Sequence, residues 1–470
     1  MFIKFDQRTN NIILIISLVL LVPFSLISVK YYQQSSFNKN KSTFIPLAKQ
    51  PMDTIVADTV VPIHYWRTQN GANICFVPTE RLPIVDIQVV FDAGSARDNG
   101  KSGLARLVAQ SMIEGTSKKR SIQIAEQLDY IGALYFVDLD QDRATFKLRI
   151  LNTNKNLQEA VNLLAEIISD PIFPKNNVDR LKNKMAVELN KELEDPIRVA
   201  ELQFYKLLYN DHPYANSVLG DLNSLNSITI EDLNKFHNNY YVAKNCVVTI
   251  VGGIHRNQVK DLSNILVANL APGNRAASLP NVQPIPGEII KTISFMKNKQ
   301  AQIIVGQPVR MADDPDYFNL IVGKIILENH IHARLVSNTL ESVQGLAYTA
   351  KVDLAAFYKP GPFYLHFNTQ AELTEQAIEQ VKLILTEFIN KGPTDEEVKL
   401  AKEHLSTSLS RKFITNTDLL DQVSYLNFYG LEFDFLDDYN HQLSFINRES
   451  VFNTWQRRIN PALMAWVIVK

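Results

Sequence analysis

The sequence predicts an α+β fold of two homologous domains, each an antiparallel sheet with helices packed on one face, preceded by a transmembrane helix. Three observations lead there. Short runs of alternating apolar residues are interleaved with longer amphipathic stretches. A pattern of helix, Pro-marked break and helix occurs twice, and an uncharged apolar run lies near the amino terminus. At 470 residues and 46% hydrophobic content, the chain exceeds what one core usually supports, so two or more domains are expected.

The elements follow in chain order. A short tail, 1–11, leads into Ile12–Val29, "IILIISLVLLVPFSLISV", which has no charge and about the minimum length for a hydrocarbon core of ~30 Å. It passes straight into Lys30-Tyr31-Tyr32 without a small-residue cleavage site, so an uncleaved anchor is expected, with the body exported. Residues 30–53 read as a linker. The first domain, 54–270, opens on the strands "NICFVPT" and "IVDIQVVFDAG", separated by the turn-like "ERLP". Helical periods follow at about 103–113 and 121–131, then a strand at about 143–150 and helices at about 155–169 and 175–195. The strand "CVVTIVGG" closes the domain.

A Pro-rich bridge, 271–287, leads to the second domain, 288–470, where the pattern returns. "EAVNLLAEIISDPIFPKNNVDRLKNKM" corresponds to "QAIEQVKLILTEFINKGPTDEEVKLAK", and in the second copy Thr394 and Glu397 form a capping box at the helix start. "DLNKFHNNYYVAKNCVVTIV" pairs in outline with "VFNTWQRRINPALMAWVIV". A period of about 220 residues indicates duplication of a whole domain.

Composition excludes some classes. Lys plus Arg at 48 against Asp plus Glu at 49 leaves a net charge of -1, so no global field favours nucleic acid. Cys75 and Cys246 are the only cysteines and sit in apolar strand-like runs; two buried free thiols are expected, with a single disulfide as the alternative. The chain carries no Walker loop, G-x-G-x-x-G fingerprint, nucleophile elbow or zinc-ribbon cysteines.

Three segments carry a family resemblance: "AGSARDNGKSGLA" with "EGT", then "HPYANSVLGDLNSLNSITIEDLNKFHNNYYVAKNCVVTIVGGI", then "ARLVSNTLESVQGLAYTA". Over about 55–470 the chain resembles the insulinase-like (pitrilysin) family of zinc peptidases, in particular bacterial members similar to mitochondrial processing peptidase subunits. Members that cut peptides carry an inverted motif, H-x-x-E-H. On a helix, residues i and i+4 share a face, so two imidazoles bind one zinc while the glutamate at i+3 activates its water. This chain has Arg106-Leu107-Val108-Ala109-Gln110 in that place. Arg106 offers no lone pair, Gln110 is a poor zinc ligand and Ala109 can neither accept nor donate a proton. All three chemical positions are altered.

The resemblance implies a third ligand, a glutamate in a helix preceding an Asp-Pro pair. Counting back from Asp195-Pro196, Glu188 falls on that position; its other reading is an exposed helical acid. With the metal ligands gone, Arg106 is expected to pair with Glu188 and hold the two helices together. In the second half, active members use an Arg and a Tyr in a pattern like "LRxxxGLAY". Here Tyr348 is kept and the arginine position is Glu341. Tyr348 is a candidate substrate contact, since a phenol can donate to a developing oxyanion; its other reading is a packing tyrosine. Arg334, on the preceding helix, is a possible substitute. In "ENHIH" only Glu328 and His332 share a helix face, which disfavours a metal cluster. His212 reads as a hydrogen-bonded turn residue.

The resemblance, together with the apolar run 12–29, thus implies a membrane-anchored, non-catalytic subunit with no cofactor of its own. Its partners would be a zinc-bearing paralogue, an unfolded peptide and, through 12–29, the membrane, with the body on the periplasmic side of a bacterial inner membrane. Alternatives are an assembly scaffold without a proteolytic partner, and an active metallopeptidase with unrecognised ligands.

Overall fold

The computed structural model describes residues 54–56, 62–79, 82–295, 299–311, 314–336, 346–411, 415–433 and 435–470, all within one compact unit, Gln34–Lys470. The first sheet has seven strands: β1 (Thr54–Val56), β2 (Ile63–Arg67), β3 (Asn73–Pro78), β4 (Ile84–Phe91), β5 (Leu134–Leu139), β6 (Ala144–Leu151) and β7 (Cys246–Gly252), in the order β1-β2-β3-β7-β4-β6-β5. The second has five: β8 (Ile289–Ile293), β9 (Gln300–Val309), β10 (Thr349–Leu354), β11 (Gly361–Gln370) and β12 (Ala465–Val469), in the order β10-β11-β9-β12-β8.

Read from the parallel pair outward, β3-β7-β4-β6-β5 and β8-β12-β9-β11-β10 are the same order. The repeat in the sequence is therefore a repeat of strand topology. In each five-strand repeat the last strand, β7 or β12, inserts between the first two, β3 and β4 or β8 and β9. It lies parallel to the first and antiparallel to the second. This corrects the expectation of antiparallel sheets: each sheet is mixed, with one parallel pair.

Period-two patterning decides which side chains face which core. Along β4, Val85, Ile87, Val89 and Phe91 join the main core of the first half, under the helices Leu104–Ser111, Ser121–Ile131, Asn154–Ser169 and Arg256–Val267. The alternate residues, Asp86, Gln88 and Val90, face the other way and are also buried. What covers them corrects the expectation of helices on one face only. The helix Asn416–Tyr429, from the second half, lies on this face against β3, β4 and β7. Reciprocally, the helix Pro196–Tyr209, from the first half, lies on the second sheet against β9 and β12.

Both exchanged helices hold the same place in their halves, third in the series that follows β6 or β11. The first half's crossover starts at Asp195-Pro196, where the Asp195 carboxylate accepts from the Ile197 N–H at 2.9 Å and Pro196 opens the helix.

The expected transmembrane helix is also corrected. Among the described residues no helix is long and apolar enough to cross a membrane, and Ile12–Val29 lies outside them, as does the linker 30–53. The fold class of the described residues is α+β, and the inner-membrane, periplasmic placement that rested on the expected anchor is not supported. The two cysteines are free and buried. Cys75 lies opposite Thr249 in the parallel register, three residues along β7 from Cys246 and on the opposite face of the sheet, so their side chains point apart.

Candidate functional site

The helix Leu104–Ser111 carries the altered motif, and the segments around it hold it firmly. Asp98 is buried, and its carboxylate accepts from the Gly103 N–H at 2.8 Å and the Ala105 N–H at 2.7 Å, satisfying donors at the helix start. Burial raises its pKa from 3.8 to about 7, against the pull of those two bonds. Gly103 and Gly220 lie backbone against backbone, both at positive φ. A Cβ on Gly220 would meet the Ser102 carbonyl oxygen at 2.3 Å, and one on Gly103 the Leu219 oxygen at 2.8 Å. Gly94 presses equally closely on the turn at Gln141–Arg143.

The other motif residues are ties of the same kind. Arg97 holds Asp92 through two bonds of 2.8 Å and reaches the linker at the Ala277 carbonyl, 2.6 Å away. Asn245 donates to the Asp92 and Tyr240 carbonyls and accepts from the Ala276 N–H. His212 accepts from the Tyr214 N–H at Nδ1, which leaves Nε2 to donate to the Pro280 carbonyl at 3.1 Å; burial lowers its pKa, so the ring is a neutral turn residue. Tyr214, fully buried, donates to Asp142 at 2.6 Å.

Within this frame the chemistry-bearing positions are occupied as follows. The Arg106 guanidinium donates to Glu188 Oε2 at 3.1 Å, joining the motif helix to the helix Lys175–Glu194, as the sequence leads one to expect. Ala109 is fully buried in the core and Gln110 is half-buried. Lys184 approaches Glu188 from its own helix at 4.0 Å. Glu192, one turn further on, is flanked by Arg198 at 4.0 Å, which is bound to Glu201 at 2.7 Å. Burial raises the Glu192 pKa, offset in part by the charges of Arg198 and Arg106. The sequence reading missed Glu192 and Arg198; their spacing of one turn from Glu188 and across the Asp-Pro break was the available signal.

This donor set does not fit zinc. One carboxylate faces a guanidinium that has no lone pair, and its hydrogen bond occupies an oxygen a metal would need. Among the described residues no group of three His, Cys, Asp or Glu side chains is placed to hold a metal ion. Of the "ENHIH" residues, Glu328 pairs with Lys324 and accepts from the Val352 N–H, His330 is hydrogen-bonded to Glu397, and His332 is exposed.

The remaining candidates lie elsewhere. Tyr348 is 51% exposed at the head of β10, its N–H donating to the Asn368 carbonyl at 3.0 Å. It belongs to the second sheet, whereas Arg106 and Glu188 belong to the first half. Arg334 is bound to Glu387 at 2.5 Å, and Glu341 lies outside the described residues. The motif helix packs beside β5, the edge strand of the first sheet, which pairs only with β6 among the described strands. Along β5, Tyr135, Val137 and Leu139 turn toward the core while Leu134 and Phe136 are exposed.

Comparison with known proteins places this geometry. The profile described as Insulinase (Peptidase family M16) matches residues 77–222, and that described as Peptidase M16 inactive domain matches residues 227–405. The chain belongs to the insulinase-like M16 peptidase family. Within that family it is a non-catalytic member, since all three positions of the inverted motif are altered. The non-peptidase homolog YmxG of Helicobacter pylori is 26% identical over 376 residues, covering 79% of this chain and 85% of the relative. The uncharacterized zinc protease YmxG of Bacillus subtilis is 22% identical over 348 residues, 74% of this chain and 83% of that one. Among solved structures, the peptidase M16 inactive domain from Pseudomonas fluorescens superposes with a TM-score of 0.82 at 29% identity, over 87% of this chain and 97% of that one. A protease from Helicobacter pylori shares the fold at a TM-score of 0.79 and 17% identity, over 86% and 98%.

Proposed function

We propose that this chain is the non-catalytic subunit of a zinc metallopeptidase complex, pairing with a zinc-bearing paralogue to enclose and position unfolded peptides. The observation that supports this most is the Arg106–Glu188 pair. A guanidinium stands at the motif position where active members have a ligand histidine, and its pair with Glu188 clamps the two helices while the motif positions supply no metal ligand and no base. The edge of β5 beside the motif helix, unpaired by any other described strand, gives an extended peptide a row of backbone partners, with affinity that depends little on sequence. Tyr348, exposed on the second sheet, is available to a substrate or to a partner's site. Two relatives from one organism fit a paired arrangement: Helicobacter pylori has both the non-peptidase homolog and a zinc protease, PqqE, which is 24% identical to this chain over 216 residues.

Affinity purification of the full chain from its source, followed by peptidase assays with and without the co-purifying protein, tests this reading. Cleavage of an unfolded peptide should appear only in the two-chain fraction, and a chelator should abolish it. Recovery of the chain without any family paralogue under conditions that preserve complexes would leave the assembly scaffold as the better account.

A further inference from the structure

We infer that the two halves open at one of their exchanged contacts and pivot on the other: helix Asn416–Tyr429 releases the first sheet while helix Pro196–Tyr209 stays on the second, and Asp142 is the latch. The inference stands on a chemical difference between two topologically equivalent contacts. Where Pro196–Tyr209 meets the second sheet, Val199, Ala200, Phe204 and Leu208 join Ile304 and Val467 in one continuous apolar cluster. Few polar bonds cross this contact, among them Lys291 to Gln203 at 2.7 Å and the Tyr209 hydroxyl to the Pro360 carbonyl at 3.1 Å.

The other contact sets polar bonds among its buried apolar residues, such as Val90 and Val423. Gln88 donates to Ser424 at 2.8 Å, Lys147 pairs with Asp421 at 2.5 Å, and Arg149, held by Asp86, donates to Thr417 at 2.6 Å. Between these bonds, Gln88 Oε1, Thr249 Oγ1 and both side-chain polar atoms of Asn427 are buried without a protein partner among the described residues. Gln88 and Thr249 lie opposite each other on β4 and β7, so the orphaned atoms stand on the face the helix covers. Separation rehydrates these polar atoms and ions, whereas separation of the apolar contact exposes hydrocarbon. The Asn416–Tyr429 contact is therefore the cheaper to part.

Asp142 closes it from the rim. The residue sits in the β5–β6 turn, and its carboxylate accepts from the Tyr214 hydroxyl at 2.6 Å within the first half. From the second half it takes the Tyr358 N–H at 2.8 Å and the Tyr429 hydroxyl at 3.1 Å, the latter on the last turn of the exchanged helix. One side chain thus spans both halves at the end of the helix that moves.

Hydrogen exchange by mass spectrometry on the full chain tests this. Amides of 416–429 should exchange at least about tenfold faster than those of 196–209, through local rather than global opening. Asp142→Ala should speed exchange of 416–429 by a further factor of about ten and leave 196–209 unchanged. Should that variant fail to fold, the near-isosteric pair Thr249→Val with Asn427→Leu reads the same contact in the other direction and should slow exchange of 416–429 alone. Equal rates for the two helices in the natural chain, or earlier opening of 196–209, would overturn the inference.

Discussion

The helix Leu104–Ser111 and the helix Tyr317–Ile331 hold the same place along the chain in the two halves, between β4 and β5 and between β9 and β10, yet their surroundings differ. The second is sealed. Gly323 lies so close to Trp455 that a Cβ there would meet the indole nitrogen at 1.9 Å; the indole donates to the Asn319 carbonyl at 3.1 Å and meets Phe363 and Phe388 edge-on. The first keeps a polar, partly open face, with Arg106 27% and Glu188 33% exposed. The second helix thus packs Gly323 tightly under Trp455 and turns Glu328 and His330 to bonds at its far end, whereas the first borders a partly exposed charged pair beside a strand that pairs with only one other described strand.

That difference sets the order of mutational effects. The largest belongs to the sealed half: Trp455→Ala should cost about 3–5 kcal/mol, as for other buried aromatic truncations, and denaturant titration should show it as a lower midpoint with little change in slope. A loss under ~1 kcal/mol would mean that the second half is no better packed at this point than the first.

An intermediate effect belongs to the frame around the open site, and it depends on pH. Burial raises Asp98 from 3.8 to about 7 and Asp142 from 3.8 to about 6. Each therefore binds its proton more tightly folded than unfolded, so the stability it contributes is complete below about pH 4 and is lost as pH rises through 6 to 7. Between pH 5 and pH 8 the natural chain should lose stability relative to Asp98→Asn, whatever the buried histidines His212, His237 and His366 add in the other direction. A difference between the two chains that does not change with pH would contradict the assignment. The smallest effect belongs to the pair itself. Arg106→Ala and Glu188→Ala should each shift stability by no more than about 1 kcal/mol, with a coupling of a few tenths in a double-mutant cycle, because partly exposed ion pairs are screened by water. A coupling of several kcal/mol would show the site to be closed like its counterpart.

Much of this was legible in the residues. The repeated helix-Pro-helix pattern agrees with the repeated strand order, and the family resemblance, which implies a glutamate before the Asp195-Pro196 pair, led from Arg106 to Glu188, which are 3.1 Å apart in the structure. Other features were not legible, for physical reasons. Nothing in periodicity says which sheet a helix covers: Asn416–Tyr429 is buried on nearly all sides, so its pattern lacks the polar stripe that would assign it a face. The parallel β3–β7 pair joins segments far apart in the chain, beyond the reach of local patterning. Asp98 and Asp142 look like ordinary turn acids in "ARDNG" and "DQDR". Their burial comes from segments more than seventy residues away in Asp142's case, as with Tyr214, Tyr358 and Tyr429.

The central claim is that the frame of a zinc-peptidase site persists here without its chemistry. Its most direct test is hydrolysis of an unfolded peptide by the purified chain, free of any partner, in the presence of added zinc. The account predicts a rate no different from buffer, with or without chelator. Turnover that a chelator abolishes, and that Glu188→Gln abolishes as well, would contradict it.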